Sequence, residues 1–214
     1  MSVIDLVLLF FLFSFIGWAV EVLEGIIRRN EIVNRGFLIG PICPIYGFSC
    51  VLMILLLNKY EKDYVVLFFL GMILCTFIEY FTSLILEKIF NTRWWDYSDH
   101  KINLNGRVCL ETMILFGIAS IILMRVFKPL SYKLLDIMPY TLKIILIIIL
   151  MIIFLLDFIL SMSVILDLKK NKLITKAQDC TKEVNKKMME ILSKKGYLTK
   201  RLIKSFPLLK GKKD

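Results

Sequence analysis

Five long apolar stretches divide the chain, separated by short polar segments. A bilayer core about 30 Å thick takes about 20 residues of helix at 1.5 Å each. By that measure the pattern predicts five transmembrane helices, over 3–27, 38–57, 64–86, 108–126 and 144–166. The first stretch has neither a basic leading segment nor a small-residue cleavage site, so it reads as a retained span and not a removed signal. The expected fold class is an all-α, polytopic membrane protein, a five-helix bundle over 1–166 followed by a tail over 167–214. In the tail, Leu173, Ala177, Cys180, Val184, Met188 and Ile191 recur at steps of three and four, with lysines on the other faces. That spacing predicts a basic amphipathic helix.

Composition agrees with the pattern. Of 214 residues, 58% are hydrophobic and the mean hydropathy is +0.74, which excludes a soluble globular domain. The formal charge of +10 is uneven: residues 169–214 carry 15 of the 28 basic and 4 of the 18 acidic residues, leaving the body at −1. Loop charges alone do not orient the bundle. Seven basic residues follow the last span within about 20 positions, where the positive-inside effect operates. The expectation is a multi-pass protein of the bacterial cell membrane, N-terminus outside, C-terminus cytoplasmic, with the tail on the anionic inner leaflet.

This orientation brings acids from several helices to one side. Glu21 and Glu79 each fall roughly 10 Å from the inner ends of their spans, and Glu111 opens the fourth. Ionisable groups at such depth cost energy unless they turn inward and pair or line a wet cavity. Thr76, Glu79, Ser83 and Glu87 follow one another at steps of three and four, giving the third span a polar stripe. Asp157 stands alone near the middle of the fifth. A polar cavity near the cytoplasmic leaflet is therefore expected. Its candidate substrate- or ion-binding residues are Glu21, Arg35, Cys43, Tyr46, Glu79, Ser83, Glu87, Asp96, Asn103, Arg107 and Glu111. The bland reading, in which Glu–Arg pairs and hydroxyls merely glue helices together, stays open beside it.

Four motifs carry a resemblance. They are Phe15-Ile16-Gly17-Trp18 with Glu21; Asn34-Arg35-Gly36-Phe37-Leu38-x-Gly40-Pro41-x-Cys43-Pro44-Ile45-Tyr46-Gly47; Glu79-Tyr80-x-Thr82-Ser83-x-x-x-Glu87; and Trp94-Trp95-Asp96-Tyr97-Ser98 followed by Asn103-x-x-Gly106-Arg107-x-Cys109. In this order and spacing the chain resembles the bacterial integral membrane proteins described as "putative ABC-transporter type IV", or CmpB-like, permeases. The resemblance covers about residues 8–125, with the last span and the tail outside it. It implies a membrane-embedded, permease-like transport component.

No G-x-x-x-x-G-K-[ST] loop holds nucleotide phosphates in this chain, so an ATPase would be a separate partner subunit. Self-association into a homo-oligomer is the other expected partnership, and no nucleic-acid recognition module accompanies the basic tail. Five cysteines without C-x-x-C spacing define no disulfide framework. Cys43 and Cys109 flank the expected pocket and His100 is the sole histidine, but no metal or other cofactor is expected and no catalytic residue is assigned. Two further functions stay open: an intramembrane enzyme acting on a lipid or small polar substrate, with Glu79 as acid–base group, and a membrane scaffold or sensor.

Overall fold

The computed structural model describes residues 2–29, 38–90 and 93–170. They form α1 (Val3–Arg29), α2 (Pro44–Leu57) with a 3-10 turn at Asn58–Tyr60, α3 (Tyr64–Phe90), a hairpin of β1 (Asn103–Leu104) and β2 (Val108–Cys109), α4 (Leu110–Ile122), α5 (Lys128–Ile137) and α6 (Tyr140–Lys170). Among the described residues, four helices are long and apolar enough to cross a membrane: Val3–Ile27, Tyr64–Phe90, Leu110–Ile137 and Tyr140–Ser163. The basic amphipathic helix predicted in the tail lies outside the described residues.

The second apolar stretch differs from its prediction as a full span. Only 14 residues of it are α-helical, about 21 Å at the helical rise. Pro44 explains the start. It occupies the first turn, where its missing N–H is no loss, and it holds Cys43 extended at φ −117°. The preceding segment, Leu38–Cys43, is therefore irregular and must find partners for its amides. Cys43 N donates to Ser14 O at 3.0 Å and Ile42 N to Gly40 O at 2.8 Å. Gly40 N donates to both carboxylate oxygens of Asp157, at 3.1 and 3.0 Å, and Ile39 N to Oδ1 at 3.2 Å. Non-helical backbone among membrane helices persists only where protein groups satisfy it in this way.

The fourth span also departs from expectation. Residues 127–143 fall between two predicted spans, yet a π-helical turn, Leu123–Phe127, carries α4 directly into α5. Pro129 can neither donate to the carbonyl of Arg125 nor sit against it, and a wider turn just before it absorbs the misfit. The cations of this stretch are held by neighbouring elements: Lys128 Nζ lies 2.6 Å from Glu61 Oε2 and 2.5 Å from Asn58 Oδ1, and Arg125 donates to the Tyr64 hydroxyl at 2.5 Å. Lys143, at the start of α6, pairs with Asp5 at 2.7 Å.

Small residues set the helix crossings. Any side chain on Gly47 would strike Ser14 and Phe10 of α1, and one on Gly71 would strike Ser120 of α4. Ser120 itself donates to Leu67 O at 2.7 Å. Close backbone approach with an interhelical hydroxyl bond is how helices associate where the hydrophobic effect does not drive them together. The main buried cluster joins Leu8, Leu9 and Phe13 to Met53, Ile54, Leu57, Leu67, Cys75, Leu123 and Met124. A smaller one packs Leu38 and Ile42 on Phe11. Asp5, Glu61, Lys128 and Lys143 thus mark one end of the bundle; Glu21, Tyr46 and the hairpin mark the other.

Candidate functional site

At the second end, Glu21 and Tyr46 meet first. The Tyr46 hydroxyl donates to Glu21 Oε1. A Cβ on Gly17 would run into the Tyr46 ring, so the missing side chain one turn before Glu21 makes the space in which the ring reaches the carboxylate. Glu79 of α3 stands beside this pair, close enough for the two carboxylates to act on one another. Glu79 is buried, with 8% of its surface exposed. Its Oε1 accepts from the Tyr97 hydroxyl at 3.3 Å, while Oε2 is buried without a hydrogen-bond partner among the described residues. The Thr76 hydroxyl, one turn earlier, is buried in the same condition.

Tyr97 belongs to the 93–109 segment that folds across this end. Burial and the neighbouring Glu79, Glu21 and Cys109 push its phenol well above the usual tyrosine range, because each disfavours a phenolate. It therefore remains a proton donor toward Glu79.

A second layer lies on the same stripe of α3, one and two turns on. Ser83, buried, accepts from Arg107 Nη1 at 3.3 Å, and the same nitrogen lies 2.5 Å from Glu87 Oε2. Arg107 Nε is buried without a partner among the described residues, and the guanidinium lies over the Tyr80 ring at 5.8 Å. Arg93 bridges Glu87 at 3.3 Å and Asp96 at 3.5 Å. The Ser98 hydroxyl, 2.5 Å from Asp96 Oδ1, together with the Ser98 amide and Arg93, holds the Asp96 carboxyl below the usual carboxylate range.

The hairpin locks these groups in place. Asn105 and Gly106 both adopt positive φ, 54° and 67°, the sign pattern of a type I′ turn, for which Asn-Gly is the favoured pair. Gly106 packs against Asp96 and Ser98, where a Cβ would collide. Asn103 Oδ1 accepts from Gly106 N at 2.9 Å and its amide donates to His100 O at 2.7 Å. Trp95 Nε1 donates to Arg107 O at 3.0 Å.

The eleven predicted site residues therefore separate into distinct environments. Glu21, Tyr46, Glu79 and buried Cys43 form the inner cluster. Ser83, Glu87, Asp96 and Arg107 form an ion-pair layer above it. Asn103 is exposed and ties its own hairpin. Glu111 is largely exposed at 74% of its side chain and pairs with His100 at 3.3 Å, away from Glu79. Arg35 lies outside the described residues. Arg107 meets Glu87, two turns from Glu79 along α3. Tyr97 was not among the predicted site residues; its place in Trp94-Trp95-Asp96-Tyr97-Ser98 was the available signal, and it reads equally well as an interfacial aromatic belt.

The fold and this site define a polytopic helical membrane protein with a buried carboxylate cluster at one end of its bundle. A family model described as "Putative ABC-transporter type IV" matches residues 8–162, and the chain belongs to that family. The match reaches past the motif region into α6 and includes Asp157. No curated protein and no solved structure matches the chain.

Proposed function

We propose that this chain is the membrane-embedded component of a transport system in which Glu21 and Glu79 take up a proton or the cationic group of a solute. The supporting observation is Glu79 Oε2. A buried carboxylate oxygen with no donor among the described residues requires a counter-charge, since an isolated buried ion costs several kcal/mol. The second carboxylate nearby raises that requirement. The tyrosine hydroxyls each occupy one oxygen and add no charge. Arg107 of the hairpin joins the ion-pair layer to α3, and its rearrangement would open or close access. Hydrolysis of ATP would belong to a separate subunit, docked on the cytoplasmic side together with the basic tail.

The test uses protons as the probe. Full-length protein is reconstituted into liposomes containing a trapped pH-sensitive dye, and a potassium diffusion potential drives uptake. Wild-type protein should acidify the lumen faster than empty liposomes. Glu79→Gln should slow it at least tenfold while eluting as wild type in detergent. Equal uptake by wild type and Glu79→Gln, or by wild type and empty liposomes, overturns the reading.

A further inference from the structure

A second group of chemically active side chains lies on the outer wall of the same end, apart from Glu21 and Glu79. One ring nitrogen of His100, Cys109 Sγ and a Glu111 carboxylate oxygen all lie within 4.8 Å of one another. A cleft of about 320 Å³ opens onto them, lined by Asp99, His100, Lys101, Ile102, Cys109, Leu110 and Glu111. We infer that this is a binding site for a divalent transition-metal ion of the zinc class.

Three features carry the inference. The donor set comes first: one imidazole, one thiolate and one carboxylate suit borderline-soft ions such as Zn²⁺ and Co²⁺ and disfavour Mg²⁺ and Ca²⁺, which take oxygen ligands. Three protein ligands with a fourth position toward a cleft is also the arrangement of open, reactive zinc sites.

Spacing is the second feature. Metal–ligand bonds of 2.0 to 2.3 Å in a tetrahedron put ligand atoms roughly 3.3 to 3.7 Å apart. His100 Nδ1 and Glu111 Oε2 already stand at 3.3 Å, so the whole triad closes with a shift of about 1 Å. The Cys109 thiol gives up a long contact to Thr112 Oγ1 at 3.6 Å, and as a thiolate it can go on accepting from the Thr112 backbone N–H that it caps.

The third is that the backbone carrying the ligands is held independently of any ion. His100 N bonds Tyr97 O at 3.0 Å and Leu110 N bonds Ile102 O at 3.0 Å. Asn103 pins His100 O, and Cys109 pairs with Asn103 across the hairpin. With thiolate and carboxylate bound, the metal's two charges are balanced. Lys101 on the cleft wall would then favour an anionic atom, such as hydroxide or a phosphate oxygen, in the fourth position. The His100 ring also packs edge-on against Tyr97 at 5.7 Å, and the Tyr97 hydroxyl links this site to Glu79.

The experiment titrates metal-freed, full-length protein in detergent with Zn²⁺ against a chromophoric chelator, and with Co²⁺ by absorption. One equivalent should bind, and Co²⁺ should give the near-ultraviolet band of a cobalt–thiolate bond. Cys109→Ser should abolish that band, and Glu111→Gln should weaken Zn²⁺ binding at least tenfold. Glu111 is exposed, so its variant reports on ligation without threatening the fold. The proposal fails if binding does not saturate near one equivalent. It fails equally if the cobalt band is absent, or if Glu111→Gln binds Zn²⁺ as tightly as wild type.

Discussion

Asp157 holds Gly40 by both carboxylate oxygens: the glycine amide lies 3.1 Å from Oδ1 and 3.0 Å from Oδ2. Ile39 N adds a third bond at 3.2 Å, and Ser161, one turn further along α6, accepts from the same amide at 3.1 Å. A lone acid in the middle of an apolar helix reads equally well as a proton carrier. Here it is the acceptor that lets the irregular Leu38–Cys43 segment sit among helices. Gly40 is required by proximity, since a Cβ there would lie 2.9 Å from Oδ2.

Removing that acceptor should be costly. Asp157→Leu strands the partly buried Gly40 amide, at about 1 to 3 kcal/mol, and leaves the Ile39 amide only its bond to Ser161. Asp157→Asn keeps one acceptor oxygen and should lose less. Thermal stability in detergent, followed by fluorescence-detected size exclusion, should rank wild type above Asp157→Asn above Asp157→Leu. Equal midpoints for all three would show that the clamp does not support the fold.

The α3–α4 crossing at Gly71 and Ser120 should show compensation. Gly71→Ala forces its methyl group onto the Ser120 side chain, an overpacking of about 1 to 3 kcal/mol. Adding Ser120→Gly makes room but removes the bond to Leu67 O. Because the residues touch, the double variant should be more stable than the two single losses predict together. Simple additivity of the melting shifts would contradict the packing described.

Asp96 supplies a pH-dependent contribution outside the spans. Its folded-state carboxyl titrates below the unfolded one. The associated stability is thus present above the ordinary aspartate range near pH 4 and disappears as pH falls through the lower folded value. The side chain is 43% exposed, and screening holds the effect below about 1 kcal/mol. Between pH 6 and pH 3, Ser98→Ala should flatten that part of the acid loss of stability. An unchanged acid limb would remove the Ser98–Asp96 bond from the account.

Orientation is expected to follow the tail. In a background without native cysteines, a cysteine at Ser2 should react with a membrane-impermeant maleimide in intact cells. One at Lys210 should react only after permeabilisation. The reverse pattern would place the hairpin and Glu79 at the outer face.

The long apolar blocks were legible because a membrane helix satisfies its own backbone and advertises its length as uninterrupted hydrophobicity. The residues at 127–143 misled for the same reason in reverse. Lys128 and Lys143 interrupt the apolar pattern, and their partners Glu61 and Asp5 are far away in sequence. Pro129 is passed by a π turn that carries the helix on. The second stretch looked long enough to span, but Pro44 had already set where its helix starts.

The amino-acid order by itself determined the helical membrane class, the family motifs, the Asn-Gly turn and the presence of acids at one end of several helices. Each of these depends on local backbone preference or on bulk transfer from water, and such effects can be read along a chain. Only the tertiary structure decided which acid meets which donor: Glu21 with Tyr46, Glu79 with Tyr97, Glu87 with Arg107 and Asp157 with Gly40. Hydrogen bonds and ion pairs act over about 3 Å, so their partners are chosen by how helices pack, and the packing depends on small residues such as Gly17, Gly47 and Gly71.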